Sequence, residues 1–531
     1  MKLKEDSIRW AINHLLRESD TDLYPKPIEI DIIAEMKEDV VSACLNIDVS
    51  NYKWNSHRRF LIPKDEISYR LATQLNPIDN IILLSIIHEY GQNIENRRID
   101  NAISYRFSPN ANGALYSTNN SWYEFWNRCK RYCLIDEDEI DDNYPYVLYC
   151  DISDFYNQIY HHIIENQLIE SGLPNQIKKQ IMALLELVTA KMSRGIPIGP
   201  HATHLIAEMS LIPFDNTLKA KGYRFIRYVD DIVVFCNSEL EAKSILYDIA
   251  DTLDKQQRLV LQREKTKIYD IVDFYNHTQD MLLDNPINEK EKIILDVIRT
   301  YSGGNAYTRI KLSDITDEHL SILSEDNVVS LLEEYLDAKE PNFSRIRWFY
   351  RRLSQVGLPH AVEFSIDNID RLIPALNDVC LYINSCAENY ISDWKDVGEN
   401  ILSLLDHSSI ANIEYFKITL LNLFIRNPKL NHTQNLIKRY KKATKEEQRK
   451  ILLASANNVE LSGWISTLKE SYNTLDKWTQ YAFLISTKIL PKEERNFFLK
   501  GIKAGLNETN DIMENIIIKC NHSIFRLDIS C

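Results

Sequence analysis

The chain has 531 residues, of which 44% are apolar, 26% charged and 10% aromatic, with 13 Gly and 16 Pro. That composition builds two to four domains with sizeable cores and excludes collagen, low-complexity tails and stapled mini-domains. The formal charge of -14 excludes a histone-like or polybasic membrane-surface protein, so any nucleic-acid contact has to be made by a local basic lining and not by bulk attraction.

The first half mixes patterns. Helical spacing of apolar residues predicts helices over 5–17 and 77–90, whereas Tyr146-Val-Leu-Tyr-Cys150, residues 223–229 and residues 231–235 are short, rich in Val, Ile, Tyr and Phe, and predict strands. From about 285 onward the strand signals fade. Helix-length segments follow at 291–301, 327–338, 345–356, 368–386 and 477–490, separated at Gly303-Gly304, Glu340-Pro341, Gly357-Leu358-Pro359, Asn427-Pro428 and Leu490-Pro491. The reading is an α+β portion over 1–280 and an all-helical portion over 281–531. No strict repeat period is visible, which leaves a HEAT-like array and a plain bundle both open. Residues 1–280 carry 31 basic and 42 acidic groups. The strongest basic run, Lys438, Arg439, Lys441, Lys442, Lys445, Arg449 and Lys450, lies in the second portion.

No apolar run approaches the roughly 18 residues of a bilayer span, and the first twenty residues are too charged for a signal peptide. A cytoplasmic protein with no membrane partner is expected. Nine cysteines (44, 129, 133, 150, 236, 380, 386, 520 and 531) include no C-x-x-C pair and read as reduced, mostly buried thiols. Cys129 and Cys133, one helical turn apart, read as a buried face.

Two adjacent carboxylates, Asp230 and Asp231, interrupt a β-forming apolar run and predict a hairpin with the pair at its tip. A second strand, 146–150, ends in Asp151. Divalent ions such as Mg²⁺ take one or two carboxylates plus substrate phosphates, and a pair of ions can clamp an in-line phosphoryl displacement. Asp151 and Asp230 on neighbouring strands meet that need, with Asp231 assisting.

Asp151 at its strand end and Tyr228-Val229-Asp230-Asp231 resemble motifs A and C of the reverse transcriptase palm. Residues 194–208, with Gly195-Ile-Pro-Ile-Gly-Pro200, resemble motif B, and Leu259-Val-Leu-Gln-Arg-Glu-Lys-Thr-Lys267 resembles motif D. Arg58 to Lys64, Tyr69-Arg70 and Leu75 to Asp79 look like the fingers. Together the motifs cover about residues 50 to 275. The resemblance implies a fingers-palm module and Mg²⁺ as cofactor, with Mn²⁺ as a substitute, held by Asp151, the Ile152 backbone and Asp230. It also implies that Tyr156 is the aromatic gate under the sugar, that Arg58, Lys64 and Arg70, beside Arg59, clamp the triphosphate, that Gly199 lines the nucleotide site, and that Lys265 lies near the departing phosphates.

Within that family, residues 104–106, Trp122, 151–156, 159–162 and 195–200 look like the bacterial abortive-infection polymerases, the AbiK-like group, including the type carried by P2-family prophages. That resemblance implies a helical repeat domain in place of the thumb, template-independent synthesis from dNTPs, a single-stranded DNA product attached to a protein hydroxyl, trimers or hexamers, and a role in stopping phage infection. Ile198 stands where templated enzymes carry a Gln that helps to hold nucleotide and template base, and an aliphatic side chain makes no such hydrogen bonds. Thr203 replaces the usual Ser. No thumb-like basic helix follows motif D, which weakens the grip on a template duplex. The alternatives are a templated enzyme with an RNA partner, as in retrons, and a retired palm serving as a scaffold, which the intact Asp151, Asp230 and Asp231 disfavour.

His161 and His162 read as helix residues that also lie within reach of a primer strand. The basic run 438–450 reads either as a hold on the growing strand or as a solvated helix. Among 28 tyrosines the priming residue is unassigned, with Tyr24 conspicuous in a loop.

Overall fold

Ile8, Ala11, Ile12 and Leu15 recur at helical spacing behind an acidic first turn, and Glu5–Glu18 is a helix that buries this stripe. It packs against the helix Pro77–Glu95. The latter starts where Asn76 accepts a hydrogen bond from the Ile78 backbone and Pro77 fills the first turn, whose amide needs no partner. The structure, a computed structural model, describes residues 1–21, 23–136, 139–282, 289–302, 309–390, 392–408, 411–509 and 511–522.

Six strands are described: β1 (Arg58–Pro63), β2 (Tyr69–Gln74), β3 (Tyr146–Asp151), β4 (Arg224–Tyr228), β5 (Asp231–Cys236) and β6 (Lys267–Asp270). β1 and β2 form a two-stranded sheet, and the others a four-stranded sheet in the order β4-β5-β3-β6. Its pairs are antiparallel, with Asp151 opposite Asp231 and Tyr228 opposite Asp231. The apolar side chains of β3, β4 and β5 enter a core with Phe125, Trp126, Cys129, Cys133 and Phe274. The helices at 5–17 and 77–90, the hairpin and the strand ending at Asp151 therefore stand as the hydrophobic patterning predicts.

The chain divides into two compact units: Met1–Asp22, Ile28–Arg58 and Thr73–Asn285 form the first, and Leu23–Pro27, Arg59–Ala72 and Pro286–Cys531 the second. The second unit thus takes two N-terminal segments besides the helices. Packing within it accounts for this: Tyr24 sets its ring edge-on to Phe60, and Arg426 donates to the Lys26 carbonyl.

The C-terminal helices are a stacked array, which decides between the two architectures left open by the sequence. Phe343–Val356, Leu376–Ser385, Glu414–Arg426, Lys445–Ser455, Lys477–Ser486 and Ile512–His522 each pack on the next. Val362–Asp367, Trp394–His407, Thr433–Arg439, Ser462–Thr467 and Lys492–Lys503 alternate with them in the chain. The stacked helices begin roughly 31 to 38 residues apart, and this irregular step explains why no period shows in the sequence. The breakers act locally: Gly357 ends a helix at φ +67°, and the Asn427 side chain accepts from the Lys429 backbone beside Pro428. Gly303-Gly304 and Cys531 lie outside the described residues, and the other eight cysteines are buried thiols in no disulfide. No helix among the described residues is long and apolar enough to cross a membrane.

Gly398 sits in the helix Trp394–His407, where an added Cβ would meet the Leu430 carbonyl backbone, whereas Gly463 has nothing within 4 Å of the same position. Gly398→Ala is expected to destabilise by about 1–3 kcal/mol through overpacking. Gly463→Ala is expected to leave stability unchanged or to raise it by up to about 1 kcal/mol. Thermal unfolding of the two variants checks this contrast.

Candidate active site

The β4–β5 hairpin turns through Val229 and Asp230, and β3 runs beside β5, so the end of β3 and the turn lie together. The Ile152 amide donates to the Asp230 carbonyl at 3.0 Å, and the Gln262 amide donates to the Asp151 carbonyl at 2.7 Å. These backbone bonds fix the carboxylate-bearing segments. One oxygen each from Asp151, Asp230 and Asp231 lies within 4.8 Å of the others.

The turn is strained: Val229, a β-branched residue, has φ +54°, a conformation that costs about 1–3 kcal/mol for such a side chain. Buried charge holds it there. Arg227, wholly buried, donates from Nη1 to the Val229 carbonyl at 2.7 Å, and the Val229 amide donates to Ser104 Oγ at 2.9 Å. Arg227 is itself held by Asp215, at 2.7 and 2.6 Å, and by Glu208 at 2.9 Å. Ser104 Oγ donates to Glu208 at 2.6 Å, and Arg98 reaches Glu208 at 2.8 Å and the Ser104 carbonyl at 2.6 Å. Burial pushes the Glu208 carboxyl up, but Arg227 and Arg98 outweigh it and hold the group below its ordinary range. Asp215 stays above its ordinary range because burial outweighs its bond to Arg227. The cluster balances two cations against two carboxylates, the condition under which buried charges are tolerated.

Among the three clustered carboxylates, Asp231 is raised to about 7, first by burial and then by the charges of Asp230 and Asp151, although the Tyr149 hydroxyl donates to it at 2.5 Å. Lys265 Nζ lies 2.6 Å from Asp151 Oδ2. Burial works against its charge, but the bond to Asp151 and the neighbouring carboxylates hold its pKa above the usual lysine value. Three clustered carboxylates, one of them paired with a lysine, fit a hard divalent cation. Asp151, Asp230 and Asp231 would hold it through their side chains. Ile152, fully buried, is placed beside them by its bond to Asp230.

The residues taken as substrate contacts fall in different places. Gly199 has φ +129°, and a Cβ there would stand 2.5 Å from the Thr73 carbonyl oxygen, so only glycine fits this crossing. The Thr73 amide donates to the Ile198 carbonyl at 2.7 Å, and Thr203, buried, donates to the Pro197 and Pro200 carbonyls at 2.9 and 2.6 Å. The Tyr156 hydroxyl lies 2.6 Å from His204 Nδ1. Arg58 departs from the expectation of an open clamp: it is buried, donates to Gln74 Oε1, and shares Gln74 with Asp20. Its charge is used inside the first unit. Lys64 and Arg70 are exposed on the β1–β2 hairpin, in the segment grouped with the second unit.

Tyr24 stands in a loop, as expected, and is buried there with its ring packed on Phe60. His161 is buried with Nε2 2.9 Å from the Gly195 carbonyl oxygen, while His162 is exposed. Cys129 and Cys133 face the core. The basic run splits by helical face: Arg449 donates to the Trp478 carbonyl and Lys450 to Asn422, both buried, whereas Lys438, Lys441, Lys442 and Lys445 are exposed. Lys438, Arg439, Lys442 and Lys417 line a cavity of about 660 Å³ in the helical unit, together with Asp406 and Glu447.

Sequence reasoning passed over Arg98, Glu208, Asp215 and Arg227. The available signal was a charge in the middle of an apolar segment: Arg227 within strand β4 and Glu208 within His-Leu-Ile-Ala-Glu-Met.

Residues 62–282 match the family described as "Reverse transcriptase (RNA-dependent DNA polymerase)". The chain therefore carries a reverse transcriptase domain followed by helices, and it is a nucleotidyltransferase of the reverse transcriptase-like polymerase kind. No curated protein sequence matches it. Solved structures similar to it include an apo telomerase from Candida tropicalis, at 10% identity and a TM-score of 0.33, covering 73% of this chain and 74% of that one. A telomerase from Candida albicans in complex with a TWJ fragment of telomeric RNA is similar at 10% identity and a TM-score of 0.29, covering 75% of this chain and 67% of that one.

Asp151→Asn and Asp230→Asn keep side-chain size and remove charge from the cluster. Each is expected to lower nucleotide incorporation by at least about a hundredfold with the fold retained, and Asp231→Asn is expected to cost less. Incorporation of labelled dNTP beside circular dichroism checks the order.

Proposed function

We propose that the protein is a Mg²⁺-dependent DNA polymerase that extends a hydroxyl of its own chain with dNTPs, without a template, in bacterial defence against phage by abortive infection. The observation that carries the polymerase reading is the convergence of Asp151, Asp230 and Asp231 within 4.8 Å in a reverse transcriptase domain. Bound divalent ions, Mg²⁺ or Mn²⁺, would supply charge neutralisation to the triphosphate and its leaving group. In the first addition the protein oxygen forms a bond to the α-phosphorus, the α–β anhydride bond breaks, pyrophosphate leaves, and the hydroxyl proton passes to solvent. Later additions use the 3′ hydroxyl of the tethered strand.

Three features support untemplated synthesis. The Ile198 side chain offers no hydrogen-bonding group where templated relatives offer an amide, and its backbone carbonyl accepts from the Thr73 amide. The helix after β6, Ile271–Leu282, carries Asp273 and Asp280 and no Lys or Arg, so it makes no basic thumb. A tethered product needs no such grip, because tethering makes each addition effectively intramolecular. Lys438 and Lys442, exposed and lining the cavity of the helical unit, are read as a hold on phosphates. Lys64 and Arg70 are read as triphosphate contacts, Lys265 as a contact of the departing phosphates, Gly199 as part of the nucleotide site, and Tyr156 as the gate against the ribose 2′ hydroxyl. The proposal extends to a cytoplasmic trimer or hexamer and, with its phage-defence role, rests on the resemblance to the AbiK-like polymerases of residues 104–106, Trp122, 151–156, 159–162 and 195–200. The description of the matched family favours a second reading, templated synthesis with an RNA partner.

Purified protein given only dNTPs and Mg²⁺ is expected to migrate more slowly on a denaturing gel, to lose the shift on DNase treatment and to keep it through boiling and RNase. Synthesis that appears only after RNA is added, or product that runs free of protein, favours the templated reading. Tyr69, Tyr123 and Tyr247 are more than half exposed and are the first to test as primers by Tyr→Phe substitution, which removes the nucleophile and keeps the ring.

A further inference from the structure

We infer that His204 is the positioning residue of the sugar gate, setting through one hydrogen bond where the Tyr156 ring stands and thereby how strongly ribonucleotides are rejected. This rests on the reading of Tyr156 as the gate. His204 Nδ1 lies 2.6 Å from the Tyr156 hydroxyl, with the two rings edge to face at 87° and 5.7 Å between centroids. Burial raises the Tyr156 phenol well above its ordinary range, so the hydroxyl keeps its proton and the bond joins a protonated phenol to the imidazole.

The imidazole is fixed in turn. Its ring lies flat on Tyr105, at 2° and 4.1 Å between centroids. Tyr105 stands at φ +44°, and its carbonyl accepts from Arg98 Nη1 at 2.9 Å. The Tyr116 hydroxyl bonds the backbone on both sides of His204, donating to the His201 carbonyl at 2.6 Å and accepting from the Leu205 amide at 3.1 Å. His204 therefore has a fixed backbone, a fixed ring plane and one hydrogen bond directed at the gate. A tyrosine held only by packing pivots about two side-chain torsions, and a 2′ hydroxyl needs little displacement to enter. The bond from His204 resists that displacement. A histidine with a purely structural role would support the fold and leave sugar selection unchanged.

The test is the incorporation ratio of rATP to dATP by the full-length protein with Mg²⁺, with KM and kcat measured for both, in Tyr156→Ala, Tyr156→Phe, His204→Ala, His204→Asn and the double variant Tyr156→Phe with His204→Ala. Tyr156→Ala is expected to relax the ratio most. His204→Ala and Tyr156→Phe are each expected to relax it about two- to tenfold, the loss of one hydrogen bond, chiefly through a lower KM for rATP. The double variant should go no further than Tyr156→Phe, because both changes remove the same bond. His204→Asn, whose amide stands close to the Nδ1 position, should restore most of the discrimination. A relaxed ratio in Tyr156→Ala with wild-type ratios in Tyr156→Phe and His204→Ala overturns the role of His204 and leaves the gate reading standing. An unchanged ratio in Tyr156→Ala overturns the gate reading and this inference together. Additive effects in the double variant overturn the inference even if His204→Ala is less stable.

Discussion

A single buried guanidinium carries the turn that presents Asp230. Arg227 is fully buried, and its donors are divided among Asp215, Glu208 and the carbonyl of Val229, the residue whose strained backbone presents Asp230 beside Asp151. Without that bond and the Ser104 acceptor, a valine at φ +54° relaxes toward an ordinary strand conformation. The arrangement also explains why a chain of net charge -14 gathers three carboxylates at one place. The turn is held from behind by a balanced set of charges, and the carboxylates themselves face a cation, which Lys265 supplies to Asp151 in this structure.

How much of this was legible from residues alone depends on the range of the interaction. The palm strands and the hairpin follow from local alternation of apolar side chains in β3, β4 and β5, and Asp151, Asp230 and Asp231 are conspicuous because Asp is foreign to such runs. The charge network is not local. Arg98 and Glu208 are 110 positions apart, and Ser104 and Val229 are 125 apart, so nothing in a sequence window couples them. The helical stack escaped for another reason: repeat length varies by several residues, and each helix buries a different mixture, from Tyr350 and Tyr382 to Phe416 and Tyr481. Arg58 and the pair Arg449 and Lys450 show the limit of reading charge as surface. Each reaches a buried acceptor, Gln74, the Trp478 carbonyl or Asn422, and a long side chain does that without disturbing an amphipathic pattern.

The same framework extends from the carboxylate cluster to Tyr156. Ser104 and Tyr105 are consecutive residues whose carbonyls are both held by Arg98. Ser104 turns toward Val229 and the carboxylates, whereas Tyr105 lies on His204 and through it reaches Tyr156. One buried cation thereby positions both the residue that holds the Val229 amide and the residue that stacks on His204. Coupling of this kind is what a polymerase requires, since a nucleotide with the wrong sugar has to be misplaced relative to the reacting centre to be rejected.

The measurement that bears most directly on this account is the effect of Arg227→Met on stability and on Mg²⁺-dependent dNTP incorporation together. Methionine fills much of the same volume and touches none of the three clustered carboxylates, but it leaves Glu208, Asp215 and the Val229 carbonyl without their shared donor. Loss of a buried partner of this kind costs about 3–5 kcal/mol. The account predicts a markedly lower melting temperature and incorporation reduced by at least about tenfold, measured at a temperature where the variant is folded. Wild-type incorporation from the folded variant would contradict it, because the turn at Val229 and Asp230 would then hold its geometry without the buried cation.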